Sequence, residues 1–313
     1  MSGAERSEEH PVVAALRERP AEARIALAIE GGGMRGSVSG GMVLAIDELG
    51  LRDRFDAVYG ASAGTLNGMW LISGRVREGI PTWTDPELVG TLIQPRGPLR
   101  GRPVVGVHHL IEERYEQLAP GLFADVLAAP TELHPIATDV DTGEAADLHD
   151  EIRDDRTLRL ALRASASLPL LAGPPVELGG RRWLDAGLTA AIPVEAALAS
   201  GATHVLVLRS RRRGEEATEP GRVGGAVTRA ALRRVGPAVA AAYAARASRE
   251  ASVERLLESF ESDPDRRPHL LSIRPADDSP VPSRLERDVG LVREALEAGR
   301  LAARGVLEPA AAA

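Results

Sequence analysis

The chain has 313 residues, of which 44% are hydrophobic, so it can bury the core of one large domain, which we favour over two small ones. A net charge of −7 argues against a nucleic-acid-binding protein. The absence of cysteine excludes disulfides and thiolate chemistry, and the absence of lysine excludes Schiff-base catalysis and the lysine of a P-loop. Because no signal-peptide core and no apolar run of about 18 residues is present, we expect a cytoplasmic globular protein.

The first β–α unit follows a polar lead-in, residues 1–23, which carries one short helical pattern around Val12–Arg19. The continuous apolar run Arg24–Ile29 predicts a parallel strand that is covered on both faces. A glycine-rich segment follows, and apolar residues at helical spacing then predict a helix over Gly41–Leu49. The glycine-rich segment therefore lies at a strand-to-helix turn.

That segment reads Gly31-Gly32-Gly33-Met34-Arg35-Gly36. Consecutive glycines tolerate positive φ and close approach, so they predict exposed N–H groups aimed at a negatively charged oxygen. The spacing of Gly31, Gly33 and Gly36 fits G-x-G-x-x-G, a phosphate-binding pattern, and the segment equally suits an oxyanion hole for acyl transfer. Both occupants stay open at this point.

A second strand-to-helix turn carries a serine. The run Phe55–Tyr59 predicts a strand, Leu66 and later apolar residues predict a helix, and the turn between them reads Gly60-Ala61-Ser62-Ala63-Gly64. This is the context that G-x-S-x-G requires, because a sharp turn leaves room only for small residues beside the nucleophile. Adjacent parallel β–α units bring their turns to one sheet edge, so Ser62 is expected beside the glycines.

The remaining elements are predicted from shorter patterns. Residues 74–130 are loosely patterned and proline-rich, which favours an irregular excursion over an active-site wall or lid, and His108 and His109 within it are expected at the surface rather than on a metal. Further on, the patterns predict a strand over Leu133–Val140, a helix over Leu158–Ala166, a hairpin of Val176–Leu178 and Arg181–Leu184, a helix over Pro193–Ser200 and a strand over Val205–Leu208.

The last third of the chain is basic and then helical. Arginines are concentrated between Arg209 and Arg234, where a solvated surface crossing is favoured over contact with anionic lipid head groups or a phosphorylated substrate. Helices are expected over 223–260 with a break at Gly236-Pro237, then a strand over Leu270–Ile273 and a helix over Ser283–Leu307 with a disordered alanine tail.

A serine nucleophile needs a base, and no histidine is well placed. His204 opens a buried strand, where a structural histidine is expected. Asp185, in Asp185-Ala186-Gly187 at the exit of the hairpin, is the stronger candidate, and partial burial would raise the pKa of its carboxyl. A Ser62–Asp185 dyad is chemically sufficient.

In this order the motifs resemble those of the patatin-like phospholipases. The glycine segment resembles their oxyanion motif, the Ser62 turn their nucleophile elbow, and Asp185-Ala186-Gly187 their Asp-Gly-Gly/Ala element. Ala137-Thr138-Asp139-Val140-Asp141-Thr142-Gly143 and Ala164-Ser165-Ala166-Ser167-Leu168-Pro169 resemble two lesser elements, and Glu30 with the glycines is most similar to a bacterial branch. Ala186 departs from the usual glycine, and a positive φ there would cost about 1 kcal/mol of strain.

The resemblance implies a three-layer α/β/α fold with a mostly parallel sheet, in which 24–208 form the catalytic core and 209–313 complete the same domain. It implies a serine acyl hydrolase of phospholipids, lysophospholipids or related acyl lipids. That chemistry requires no cofactor and no metal, and no carboxylates are clustered at the spacing of a calcium loop. Only 3% of the residues are aromatic, so an interfacial belt is not predicted, and a transient contact with a membrane surface stays open. The oligomeric state is not predicted.

Three other interpretations stay open: a dinucleotide- or phosphate-binding module, a non-lipid esterase, and a catalytically idle scaffold. The dinucleotide interpretation is weakened because Asp56 precedes its strand, whereas a ribose-binding acid would end it. The idle scaffold is disfavoured because both reactive side chains are present.

Overall fold

A computed structural model describes residues 9–215, 222–263 and 265–311. It contains eight strands: β1 (Ile25–Ile29), β2 (Ala57–Ala61), β3 (Glu132–Asp139), β4 (Ala145–Asp147), β5 (Val176–Leu178), β6 (Arg181–Asp185), β7 (His204–Leu208) and β8 (His269–Ile273). The first eight helices are α1 (Pro11–Glu18), α2 (Gly36–Glu48), α3 (Ala63–Ile72), α4 (Val76–Gly79), α5 (Pro86–Leu92), α6 (Val107–His109), α7 (Tyr115–Leu118) and α8 (Leu122–Ala128). They are followed by α9 (Asp155–Ala166), α10 (Val194–Ala199), α11 (Arg222–Val235), α12 (Pro237–Glu261) and α13 (Val289–Ala311).

The strands form one sheet in the order β5-β6-β3-β2-β1-β7-β8, with β4 also paired to β3. The pairs from β3 through β2, β1 and β7 to β8 are parallel, whereas β4, β5 and β6 pair antiparallel. The parallel strands therefore all end at one edge, where their following turns meet.

Alternate residues of the strands supply two separate cores. On one face Leu27, Val58 and Leu206 pack with the helices α1, α2, α3 and α13, and on the other face Ala28 and Val207 pack with α10 and α12. Burial on both faces explains why β1 and β7 are continuously apolar. The predicted three-layer α/β/α fold with a mostly parallel sheet is confirmed.

Helix α2 begins at Gly36, five residues earlier than the apolar spacing predicted. Glycine is a poor helix former, but here it allows close packing. A Cβ on Gly41 would lie 1.8 Å from the carbonyl oxygen of Leu296 in α13, and one on Gly299 would lie 2.0 Å from that of Val38 in α2. Tertiary contact with α13 therefore overrides the low local propensity.

The C-terminal helix differs from the prediction at both ends. It begins at Val289 rather than Ser283, and it continues to Ala311, so the alanine-rich end is helical as far as the structure describes it. Residues 283–288 form instead a loop that returns to the glycine-rich turn. In the described part of the chain, no helix combines the length and the apolar character that crossing a bilayer requires.

Candidate active site

Ser62 occupies the sharp turn between β2 and α3. Its φ of 53° and ψ of −123° are unusual for a residue with a side chain, and such strain is typical of a nucleophile elbow. Gly60 and Gly64 make the turn possible, since a Cβ on Gly60 would lie 2.3 Å from Thr65 Cα, and one on Gly64 2.2 Å from the Ile29 carbonyl oxygen. The small residues on both sides are thus required by packing.

Strand β3 brings Asp185, the predicted base, next to Ser62. Its Ile136 is paired in register with Ala61, and the next residue, Ala137, is paired with Asp185. Two consecutive residues of one strand therefore align the ends of β2 and β6. As a result, Ser62 Oγ donates a hydrogen bond of 2.6 Å to Asp185 Oδ2.

The Asp185 carboxylate is held on its other side as well. Its Oδ1 accepts a 2.7 Å hydrogen bond from the Gly187 N–H, and the residue is 2% exposed. Burial raises the pKa of Asp185 above the ordinary carboxyl range, while the bonds from Ser62 and Gly187 and the charge of Arg284 partly oppose the rise. A raised proton affinity suits a carboxylate that must accept a proton.

Ala186 carries none of the strain that a positive φ would cause. Of the described residues other than glycine, Arg19, Ser62 and Leu170 have positive φ, and Ala186 does not. It is fully buried in a 3₁₀ turn over Ala186–Leu188. Alanine is therefore accommodated after Asp185 without displacing the carboxylate.

The glycine-rich turn faces Ser62. The Gly31 N–H donates to the Ala191 carbonyl at 2.9 Å, and the Met34 N–H donates to the Arg284 carbonyl at 3.1 Å. Between these two anchors, the N–H groups of Gly32 and Gly33 donate to no described residue. Gly33 has a φ of 61°. Two unsatisfied donors beside a serine are what an oxyanion hole requires.

Arg35 contacts the Pro282 carbonyl and Glu215. Its Nε donates to the Pro282 carbonyl at 3.0 Å, and its guanidinium lies 3.4 Å from a Glu215 carboxylate oxygen. In this position it ties the glycine-rich turn to the segment that precedes α13.

A buried network of ion pairs adjoins the glycine-rich turn. Glu30 is fully buried, 2.9 Å from Arg209 Nε and 3.4 Å from Arg211 Nε, and it also accepts from the Ser210 N–H at 2.8 Å. Although burial opposes ionisation, the two arginines lower the pKa of Glu30 overall. The prediction of a solvated surface crossing is wrong at Arg209 and Arg211, which are buried against acids distant in sequence.

An apolar cavity opens beside Ser62. Its walls come mainly from 82–115. The lining side chains include Leu66, Trp83, Val89, Ile93, Val107, Leu110 and Tyr115. Residues 74–130 thus form a wall of the site, the less favoured of the two predictions. The sequence pattern did not favour this wall because prolines and short helices interrupt the segment, so that its apolar residues follow no single period.

Arg284 is the residue at the site that sequence reasoning missed. It lines both the apolar cavity and a smaller space bounded by Gly32, Ser62 and Asp185. Its guanidinium forms no ion pair within the described residues. Burial lowers the pKa of Arg284, and the charges of Arg246 and Arg211 add to the effect, while those of Glu250 and Asp185 oppose it. The site thus contains an arginine that interacts electrostatically with Glu250 and Asp185 but is in ion-pair contact with neither.

The histidines lie elsewhere. His204 starts β7, at the opposite end of the strands from Ser62, and its Nδ1 lies 2.8 Å from Thr203 Oγ1. His109 is 3.1 Å from Glu113, and both side chains are partly exposed.

Glu132, His134 and His149 form a cluster with metal-ligand side chains at the start of β3. The two imidazoles are stacked at 4.4 Å with an angle of 22°, so their in-plane lone pairs do not converge on one ion. The His134 ring nitrogens instead lie 2.6 Å from an Asp147 carboxylate oxygen and 3.5 Å from a Glu132 carboxylate oxygen.

The comparison with protein families agrees with the motifs. The profile of the family described as patatin-like phospholipase matches residues 27–198. The uncharacterized protein YjjU of Escherichia coli K12 is 29% identical over 215 residues, which are 63% of this chain and 55% of that protein. The crystal structure of VipD from Legionella pneumophila aligns with a TM-score of 0.42 and 13% identity over 92% of this chain and 67% of that chain. The chain thus spans little more than half the length of YjjU.

Proposed function

Because the chain belongs to the patatin-like phospholipase family, we propose that it is a serine acyl hydrolase that cleaves ester bonds of phospholipids, lysophospholipids or related acyl lipids. The observation that carries the proposal is the 2.6 Å hydrogen bond from Ser62 Oγ to the buried Asp185 carboxylate, beside an apolar cavity that Ser62 lines. A nucleophile, a base and a space for an acyl chain meet there.

In the proposed reaction, Asp185 accepts the Ser62 hydroxyl proton while Oγ attacks the ester carbonyl carbon. The carbonyl oxygen becomes an oxyanion and accepts hydrogen bonds from the N–H groups of Gly32 and Gly33. Collapse breaks the bond to the alcohol, which leaves with the proton from Asp185. Water then attacks the acyl-serine, gives its proton to Asp185, and releases the fatty acid as Ser62 regains the proton.

The cavity supports an acyl chain as the group that Ser62 retains. Its wall is built from aliphatic and aromatic side chains such as Leu66, Trp83 and Leu110. Burying each methylene of a chain against such a wall contributes about 0.8 kcal/mol. Long acyl chains should therefore bind more tightly than short ones, which distinguishes a lipid hydrolase from an esterase of small soluble substrates.

Arg284 supports an ester whose alcohol part is negatively charged. Its guanidinium forms no direct ion pair among the described residues, so it can donate two hydrogen bonds to a phosphate. The Arg284→Gln variant is expected to raise KM for a lysophospholipid while leaving KM for an uncharged ester unchanged. An equal change in KM for both esters would show that Arg284 does not bind the head group.

The proposal is tested by treating the protein with a fluorophosphonate and measuring its intact mass. One adduct is expected, and the Ser62→Ala variant should show none. A folded protein that stays unlabelled would contradict the proposed nucleophile. A panel of labelled lipids that differ in chain length and head group, with Ser62→Ala as the blank, then identifies the substrate class.

A further inference from the structure

Residues 94–104 form a loop that projects from the cavity wall. Its base is closed by an antiparallel bridge between Ile93 and Val105 and by a 2.7 Å hydrogen bond from the Gln94 N–H to the Val104 carbonyl. Ile93 and Val105 are buried and line the cavity beside Ser62. The loop is therefore continuous with the wall of the proposed acyl site.

The tip of this loop presents a leucine to solvent. Leu99 is 86% exposed, the highest value among the large hydrophobic side chains of the described residues. Two backbone hydrogen bonds form a turn at the tip. The Leu99 N–H donates to the Arg96 carbonyl, and the Arg102 N–H donates to the Gly97 carbonyl. These bonds hold the tip in a fixed turn with its apolar side chain outward.

Three arginines surround Leu99 without any acidic neighbour in the loop. Arg96, Arg100 and Arg102 are exposed, and none of them forms an ion pair within the described residues. The sequence between Leu88 and Ile111 contains no aspartate or glutamate. This cationic tip stands out in a chain whose net charge is −7.

From this arrangement we propose that the 94–104 loop docks the protein on an anionic lipid bilayer. Arginines attract anionic head groups, and an exposed leucine can enter the boundary between head groups and acyl chains. A bilayer fits this loop better than a protein partner does. A specific protein interface buries roughly 1,000 Å² or more in total, far more than one leucine offers, whereas a bilayer requires no complementary shape. Docking there would bring the cavity wall next to the lipid, and this use of the loop rests on the proposed function.

The cationic loop is also expected to orient the protein as it approaches the membrane. Because the net charge of the protein is negative, an anionic membrane repels the protein overall but attracts this loop. Binding should therefore weaken with added salt, since exposed charges are screened beyond about 8–10 Å at physiological ionic strength.

The experiment is cosedimentation of the full-length Ser62→Ala protein with vesicles of pure phosphatidylglycerol or of pure phosphatidylcholine. Binding is expected to the first vesicles only. Changing Arg96, Arg100 and Arg102 together to Gln should weaken it roughly a hundredfold, at about fivefold per arginine. A Leu99→Trp variant should bind at least as well and show a blue-shifted fluorescence on the vesicles.

The matched control changes three other exposed arginines, Arg229, Arg233 and Arg234 of α11, to Gln. It removes the same charge and should retain binding. Equal loss in both triple variants, equal binding to phosphatidylcholine, or no binding to phosphatidylglycerol would each overturn the proposal. The last result would leave a protein surface as the alternative partner of the loop.

Activity separates this proposal from the catalytic one. With Ser62 restored, the loop variants should hydrolyse a soluble short-chain ester at the unmodified rate but lose hydrolysis of phosphatidylglycerol vesicles. If Ser62 were not the nucleophile, fluorophosphonate labelling would fail while vesicle binding persisted. If the loop did not dock, labelling would succeed and the vesicle results would not depend on the loop.

Discussion

Ser62 and Asp185 are 123 residues apart in sequence, yet Ser62 Oγ and Asp185 Oδ2 lie 2.6 Å apart. The pairing of β3 with both β2 and β6 produces this proximity, since Ile136 and Ala137 align with Ala61 and Asp185. The Ser62 N–H is fixed in turn by a 3.1 Å bond to Ser165 Oγ. The proposed dyad is thus positioned by backbone pairing and one further side chain.

Replacing Asp185 by Asn is expected to lower kcat/KM by roughly 10³–10⁴-fold, because the amide cannot accept the Ser62 proton. The shape is retained, and the Oδ1 that accepts from Gly187 has an equivalent in the amide oxygen. The measurement is hydrolysis of an acyl ester together with the unfolding midpoint in urea. Near-normal activity in a stable Asp185→Asn protein would show that another group is the base.

The pH dependence of kcat/KM is expected to report the raised pKa of Asp185. The reaction needs the carboxylate form, so activity should fall on the acidic side at a pH above the ordinary aspartate value of about 3.9. Arg284 lowers the pKa of Asp185, and removing its charge must raise that pKa. The acidic limb of Arg284→Gln should therefore move to higher pH.

The control for this shift is Arg287→Gln, which removes the same charge from an exposed position three residues further along the same loop. Its acidic limb should coincide with that of the unmodified protein. If both variants shift equally, the effect belongs to the net charge of the loop and not to the position of Arg284.

The sequence predicts the parts of the site that depend on local geometry. Ser62 and the glycines lie at strand-to-helix turns whose small residues are visible in the sequence, and the apolar runs locate the strands. Arg284 and the buried role of Arg209 could not be predicted in the same way. They depend on contacts with Met34, Glu30 and Glu254, which are distant in the chain and follow from the packing of the sheet and helices.

Gly33→Ala is expected to impair catalysis more than folding. The left-handed φ of 61° costs alanine about 1 kcal/mol, and its Cβ would lie 2.4 Å from the Arg284 carbonyl oxygen, so the turn must shift. Displacing one oxyanion donor lowers kcat by roughly 10²–10³-fold. Gly50→Ala provides the control: its φ is 69°, but nothing lies within 4 Å of the added Cβ.

Comparing kcat and urea unfolding of these two variants tests the assignment. Both should lose about 1 kcal/mol of unfolding free energy from backbone strain, Gly33→Ala should lose more because of its contact with the Arg284 carbonyl, and only Gly33→Ala should lose activity. A Gly33→Ala protein with normal kcat would show that the Gly32 and Gly33 N–H groups do not stabilise the transition state.

Glu30→Gln is expected to lower the free energy of unfolding by about 3–5 kcal/mol at neutral pH, because Arg209 and Arg211 lose a buried partner. The folded protein lowers the pKa of Glu30, so its charge stabilises the fold above the unfolded carboxyl value of about 4.3, and this stabilisation is lost as the pH falls below it. The difference between the two proteins should therefore shrink in acid.

The control is Glu48→Gln, which removes a partly exposed partner of Arg300 and Arg304 and should cost less than about 1 kcal/mol of unfolding free energy. Urea unfolding at neutral and acidic pH measures both, and a difference that stays constant with pH would contradict the ionised state assigned to Glu30.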